Sequence, residues 1–328
     1  MNKIKEITQK NACVWPIAGC VVLFIMITAV TGNFNLSVIS SGAKLCVFAL
    51  LLGLGQMIVV TSGDGAIDLS QKYILTLTAY VSCTVMAKNI LLGLLAAIIV
   101  GALCGLVSSC VNVFLKVPAM ITTLATGYLF YTVILVVSSK WSNIPAKGFV
   151  QFVNKNLLGI NMMTIVCVIV AVGLWFLLYR TKYGHQLHAV GQKREAARLA
   201  GIHVGKTVII AFVINGALCG LAGAMAAAYC GGANQDLGTT YFLPSVAAAF
   251  VGGTNAAGGK SSVVGVSIGA LMMTLMSTFL NAAKLDVGVQ KTYPGCISCI
   301  PACGSSDRCI KEKIEGLFEK LILVNCDI

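Results

Sequence analysis

Residues 90–115 read ILLGLLAAIIVGALCGLVSSCVNVFL, a run from Ile90 to Leu115 without one charged side chain. As an α-helix it is roughly 39 Å long at ~1.5 Å per residue, more than the ~30 Å hydrocarbon core of a bilayer. Its apolar residues occupy every face, so it lacks the polar stripe of a helix lying on a soluble domain. Lys88 and Lys116 stand just outside the two ends, where long cationic side chains can snorkel to the headgroups. The stretch reads as a membrane span.

The rest of the chain agrees. Of 328 residues 58% are hydrophobic and only 10% charged, a deficit of charge that one soluble core of this size cannot absorb. The same figures exclude a disordered chain. With 34 glycines and 8% aromatics the composition suits helices rather than a barrel. Further apolar runs are Ala12–Val30, Leu45–Val60, Tyr73–Ala87, Ala119–Ser139, Met162–Tyr179, Thr207–Cys230, the short Tyr241–Val251, and Val263–Phe279. Ala12–Val30 reads as an uncleaved first helix, too long for a typical signal-peptide core. The expected fold is an all-α polytopic membrane protein, a bundle of about nine to ten transmembrane helices with broken or re-entrant segments.

Charge distribution orients the bundle. The formal net charge of +12 does not form a basic stripe for nucleic acid, because it reflects a scarcity of acids. Only Asp64, Asp68, Glu195 and Asp236 lie between Cys13 and Ala283. Lysines and arginines concentrate in the N-terminal tail and in the loop Arg180–Lys206, which the positive-inside rule places in the cytoplasm. Six crossings separate the two, so their sides agree. The loop Lys140–Asn161 then faces outward.

Two glycine-rich interruptions point to discontinuous helices: Gly63-Asp64-Gly65-Ala66-Ile67-Asp68-Leu69-Ser70, and Gly252-Gly253-Thr254 through Gly259 after the short run. Such breaks mark translocation paths, although a plain interfacial turn is an equal alternative at each. Candidate path residues are Asp64, Asp68, Gly252, Gly253 and Thr254. Glycine pairs at four-residue spacing, Gly101 and Gly105, Gly216 and Gly220, Gly265 and Gly269, flatten helix faces for close packing. Gly259-Lys260-Ser261 imitates the end of a phosphate loop, but the required glycine spacing fails and no strand precedes it. Nine cysteines scattered through apolar runs read as small buried hydrophobes. His185, His188 and His203 read as solvated loop histidines, with no metal site expected. The acids are too few for an ion-relay carrier or a membrane enzyme, which favours a transporter energised from outside its own helices.

Glu195-Ala196-Ala197-Arg198-Leu199-Ala200-Gly201-Ile202 reads as a short helix closed by glycine. It suits docking on a soluble motor; an interfacial helix on anionic lipid is the alternative. Here a family resemblance enters. Glu195, Ala196, Ala197 and Gly201 resemble the coupling motif of bacterial ABC importer permeases, and the longer run Tyr183–Ile202 is similar to ribose-type sugar permeases. Gly65–Ser70, Pro118–Gly127 with Thr123-Leu124-Ala125-Thr126, and Val251–Gly259 resemble further motifs of that family. The resemblance implies a permease subunit moving a ribose-like monosaccharide by alternating access. It implies as partners two ABC ATPase subunits that carry the ATP-Mg, an extracytoplasmic sugar-binding protein and a second permease chain, identical or not. No cofactor is expected in this chain. Glu195, Ala196, Ala197, Arg198 and Gly201 would form the ATPase-coupling helix. The location would be the bacterial inner membrane. Nucleoside or autoinducer import, and an ion-coupled carrier, are the alternative functions.

The permease domain is therefore expected at 1–284, with its coupling loop at 180–206, followed by an atypical tail at 285–328. The tail holds six of the eleven acids and Cys296, Cys299, Cys303, Cys309 and Cys326. Their spacing matches no structural zinc pattern. The family's final apolar helix is missing from this tail, as a change of reading frame would produce; Ile314, Leu317, Phe318, Leu321 and Ile322 suggest a short interfacial helix.

Overall fold

The computed structural model describes residues 14–31, 36–157 and 160–283. The tail, its cysteines and its suggested interfacial helix lie outside these residues. So does the start of the first apolar run.

The apolar runs become helices: α1 (Val14–Thr31), α2 (Leu36–Thr61), α3 (Gln71–Met86), α4 (Ile90–Leu115) and α5 (Ala119–Ser138). A short α6 (Lys147–Asn154) and a hairpin of β1 (Asn156–Leu157) and β2 (Ile160–Asn161) precede α7 (Met162–Arg180). The strands are antiparallel, with Asn156 opposite Asn161. Then follow α8 (Lys182–Gln192), α9 (Arg194–Leu199), α10 (Val204–Cys230), α11 (Leu237–Val251) and α12 (Val263–Ala282). Among the described residues six helices are long and apolar enough to cross a membrane, and α11 is a shorter apolar one. The chain is an all-α polytopic membrane protein.

Side chains supply the helix starts. Asn89 accepts from the Leu91 and Leu92 amides ahead of α4, Asn161 from the Met163 amide ahead of α7, and Ser262 from the Gly265 amide ahead of α12. Gly231 ends α10 in the left-handed conformation.

Helix α2 is the axis of the bundle, packed on α7, α10, α11 and α12, with 83% of its span buried. Helix α10 lies against α4, and the paired glycines decide how closely. A Cβ on Gly101 would strike the Gly216 carbonyl and the Gly220 backbone, and one on Gly105 the Phe212 carbonyl. Gly265 and Gly269 bring α12 equally close to the backbone of α11 at Gly252 and Ala248. Without a water-driven force between helices in lipid, this backbone proximity maximises dispersion contact. The other faces of α4, α5 and α7 expose Leu91, Ile99, Leu129, Val136, Ile169 and Phe176, as lipid-facing or chain-facing helices require.

Several boundaries differ from the sequence reading. The short run at Tyr241 belongs to a 15-residue helix that begins four residues earlier and continues through Pro244. The loop Lys140–Asn161 contains α6, whose Phe149 and Val153 are buried in the core. The loop Arg180–Lys206 is two helices, not one. Its histidines are not all solvated: on α8, His188 is half-buried, with Nδ1 2.7 Å from the Gly184 carbonyl and Nε2 3.5 Å from Ser261 Oγ. Charged residues and glycines hide such helices from an apolar-run criterion.

Candidate functional site

The segment 62–70 between α2 and α3 is a true discontinuity. Gln71 Nε2 donates to the Leu52 carbonyl, 2.8 Å, so α3 starts level with Leu52 and not with the end of α2. Leu52 is nine residues before Thr61, roughly 13 Å back along the helix. The chain therefore leaves α2 at one face of the bundle and runs back to about mid-depth before α3 begins. Irregular backbone at that depth is tolerated only where protein satisfies its polar groups.

Helix α5 supplies part of that satisfaction. Thr123 Oγ1 accepts from the Leu69 amide, 3.1 Å, and donates to the Ile67 carbonyl, 3.3 Å. Gly127 leaves room for the Tyr73 ring. The Thr123–Gly127 motif thus packs on the Gly65–Ser70 motif.

Asp68 anchors the far end. It is fully buried; Oδ1 accepts from the Ser70 amide at 2.9 Å and the Ser70 hydroxyl at 2.6 Å, and Oδ2 from Asn215 Nδ2 at 2.6 Å. Asn215 Oδ1 accepts in turn from Gln71 Nε2, 3.0 Å, and Ser245 donates to Gln71 Oε1, 3.5 Å. One polar chain joins the discontinuity to α3, α10 and α11. Nearby, both amide atoms of Gln56 and the hydroxyl of Thr254 are buried without a partner among the described residues.

The other end of the discontinuity meets the loop helices. Gly63, Gly191 at the end of α8, and Gly258 form a three-way backbone contact. A Cβ on Gly63 would come within 3.0 Å of the Gly191 Cα, and one on Gly258 within 2.8 Å of the Gly63 nitrogen. A Cβ on Gly191 would meet the Thr61 carbonyl and the Gly259 backbone. The Gly259 amide donates to the Thr61 carbonyl, 3.1 Å. Gly63, Gly258 and Gly259 all have positive φ, which an L side chain resists. The two glycine interruptions, 189 residues apart by Gly63 and Gly252, therefore meet at α8.

Helix α9 hangs beside this junction. Ala197 is buried with Val59, Ala66, Val190 and Val208, while Glu195, Ala196, Arg198 and Leu199 face outward. Leu199 is 85% exposed. Gly201 ends the turn at φ +81°. Arg194, the first residue of α9, donates to Asp64 across 2.6 Å. This pair borders a cavity of about 460 Å³ that also takes in Asn112, Lys116 and Gly205. On α8, burial pushes the Tyr183 hydroxyl above its ordinary range, leaving it a neutral donor to the Thr207 carbonyl at 3.4 Å.

The expected site residues are spread over three places. Asp64, Glu195, Ala196, Ala197, Arg198 and Gly201 lie at or beside the α8–α9 face, whereas Gly252 and Gly253 follow α11, where Gly252 packs on α12 at Gly265 and Val266. Asp68 lies deeper, enclosed in its hydrogen-bond chain, and Thr254 is buried under the glycine loop. Gln71, Asn215 and Gly191 are not among the expected site residues, because a polar residue in a break, a lone asparagine in an apolar run or a glycine in a charged loop carries no local sign of its partner. Lys72, just ahead of the apolar run Tyr73–Ala87, lies in the first turn of α3 and therefore at mid-depth.

A helical bundle with interrupted helices, tied at one face to short charged helices, defines a multi-pass membrane permease. Residues 38–294 match the family described as the branched-chain amino acid transport system / permease component, and the chain belongs to that family. It is 26% identical over 316 residues to the autoinducer 2 import system permease protein LsrD of Escherichia coli (strain K12), covering 92% of this chain and 94% of the relative. The same values hold for the LsrD protein of Shigella flexneri. For that of Escherichia coli O157:H7 the identity is 25% over 292 residues, 86% and 87% of the two chains. No solved structure matches. The chain is a transport subunit of an ABC importer in the inner membrane, and ATP hydrolysis belongs to a separate subunit.

Proposed function

We propose that this permease carries a small polyhydroxylated solute, a ribose-like monosaccharide first, into the cytoplasm by alternating access. Helix α9 docks in the ATPase, with Glu195, Ala196, Arg198 and the exposed Leu199 as its contact face, Ala197 holding it to the bundle and Gly201 turning the chain away. The α8–α9 face is then cytoplasmic, in keeping with its excess of lysine and arginine. The observation that carries the reading is the glycine junction: the end of α8 touches both helix discontinuities through backbone. Motion of the docked helices reaches Asp64 through Arg194 and the second interruption through Gly258 and Gly259, with Gly252, Gly253, Thr254 and Asp68 beyond these contacts.

A second copy or a related permease completes the path, a binding protein delivers the solute from outside, and ATP-Mg acts in the ATPase. Autoinducer 2 is the second substrate reading, favoured by the names of the LsrD relatives. Uptake of labelled ribose and of autoinducer 2 by cells expressing the complete system tests both. Uptake abolished by ATP depletion and surviving collapse of ion gradients supports an ABC importer. The reverse pattern would mean an ion-coupled carrier.

A further inference from the structure

Lys72 sits at mid-depth and has no ion-pair partner among the described residues. Three helices locate it independently. Its neighbour Gln71 bonds to Leu52, nine residues before the end of α2, and to Asn215, eleven residues into α10. The adjoining Tyr73 ring rests on Gly127, eight residues into α5. Each count gives roughly 12–17 Å from the α8–α9 face, about half of a ~30 Å hydrocarbon core. Among the described residues the ion pairs are Arg194 with Asp64 and Arg198 with Glu195, and neither involves Lys72. Its ammonium stands 4.7 Å from the centre of the Tyr73 ring.

A cation at this depth is expensive against lipid, and intramembrane charges accordingly face protein or water-filled cavities. The aromatic surroundings narrow the choice. Tyr73 packs at 5.9 Å from Tyr128 and 5.5 Å from Tyr131, and Tyr128 is 56% exposed. The cluster thus offers an open aromatic face, phenol hydroxyls and ammonium donors on one patch.

We propose that Lys72, Tyr73 and Tyr128 form a solute-binding station midway along the translocation path, for a polyhydroxylated solute. Tyr128 gives its ring to the apolar C–H face of the solute, while Lys72 donates hydrogen bonds to its hydroxyls. The aqueous path must then run along this face of α3 and α5. The station rests on the permease reading, but its first test does not depend on which solute is carried.

Lys72→Cys, in the full chain assembled with its partner subunits in native membrane vesicles, is exposed to a charged, membrane-impermeant methanethiosulfonate reagent. Labelling is read by fragment-ion mass spectrometry that assigns the adduct to position 72 as distinct from Cys46 and Cys83, which share its tryptic peptide. Such reagents attack thiolates, which form in water and not in lipid. Labelling is expected, and a position that stays unlabelled while an exposed control away from the docking face, such as Ile144→Cys, reacts would overturn the station. Lys72→Met and Tyr128→Ala give the second readout. Ribose uptake should fall at least tenfold, with chain level and ATPase co-purification unchanged. Normal uptake by Lys72→Met would equally overturn it. If the native complex takes up no ribose, or no ATPase co-purifies with it, the functional reading fails instead, and the labelling result still decides whether position 72 meets water.

Discussion

Asn215 Nδ2 donates to Asp68 Oδ2 at 2.6 Å, joining residues 147 positions apart in a fully buried contact. The Ser70 amide and hydroxyl take the other oxygen, so the carboxylate meets only donors. Asp68→Asn keeps the shape and turns one acceptor into a donor facing a donor. It should destabilise the chain by ~1–3 kcal/mol, the cost of a buried group left unmatched. Thermal unfolding in mild detergent measures this. A double-mutant cycle of Asp68→Asn with Asn215→Leu should show a coupling of ~0.5–3 kcal/mol.

Gly191→Ala forces a Cβ against the Thr61 carbonyl and the Gly259 backbone. Overpacking at a tight contact costs ~1–3 kcal/mol, and relief here requires α8 to separate from the two discontinuities. The expected outcome is an assembled complex that still hydrolyses ATP while its uptake falls. Uptake and hydrolysis measured on one reconstituted preparation separate this from a folding defect, which would lower both together.

Leu199→Asp changes a side chain that is 85% exposed and touches no core cluster. Chain level and melting temperature should stay the same, and recovery of the ATPase in a detergent pull-down should drop. Glu195→Lys should act in the same direction. Normal recovery from both variants would remove α9 as the docking element.

Gly101→Val should be severely destabilising, because its side chain would enter the Gly216 carbonyl and the Gly220 backbone. Gly173→Ala is the contrasting change, since a Cβ there meets nothing within 4 Å. It should be neutral or slightly stabilising, by about the ~1 kcal/mol by which alanine exceeds glycine in helix propensity. Melting temperatures of the two purified variants give the comparison.

The spans, the paired glycines and α9 were legible along the chain because each rests on a short-range property. Apolar length decides whether a segment can cross lipid, four-residue spacing puts two glycines on one helix face, and a glycine stop closes the helix at Arg194–Leu199. Residue type alone brought Asp64, Asp68 and Gly252–Thr254 to notice. What they touch was beyond its reach. Only the packed bundle decided that Asp68 belongs to a hydrogen-bond chain with Asn215, that Gly63 and Gly258 meet on Gly191, and that α3 begins at mid-depth and carries Lys72 there. The physical reason is the same in each case. Composition and periodicity report how one segment meets its solvent, whereas depth, partner and close approach are set by other segments of the bundle, which for Asp68 and Asn215 lie 147 residues apart along the chain.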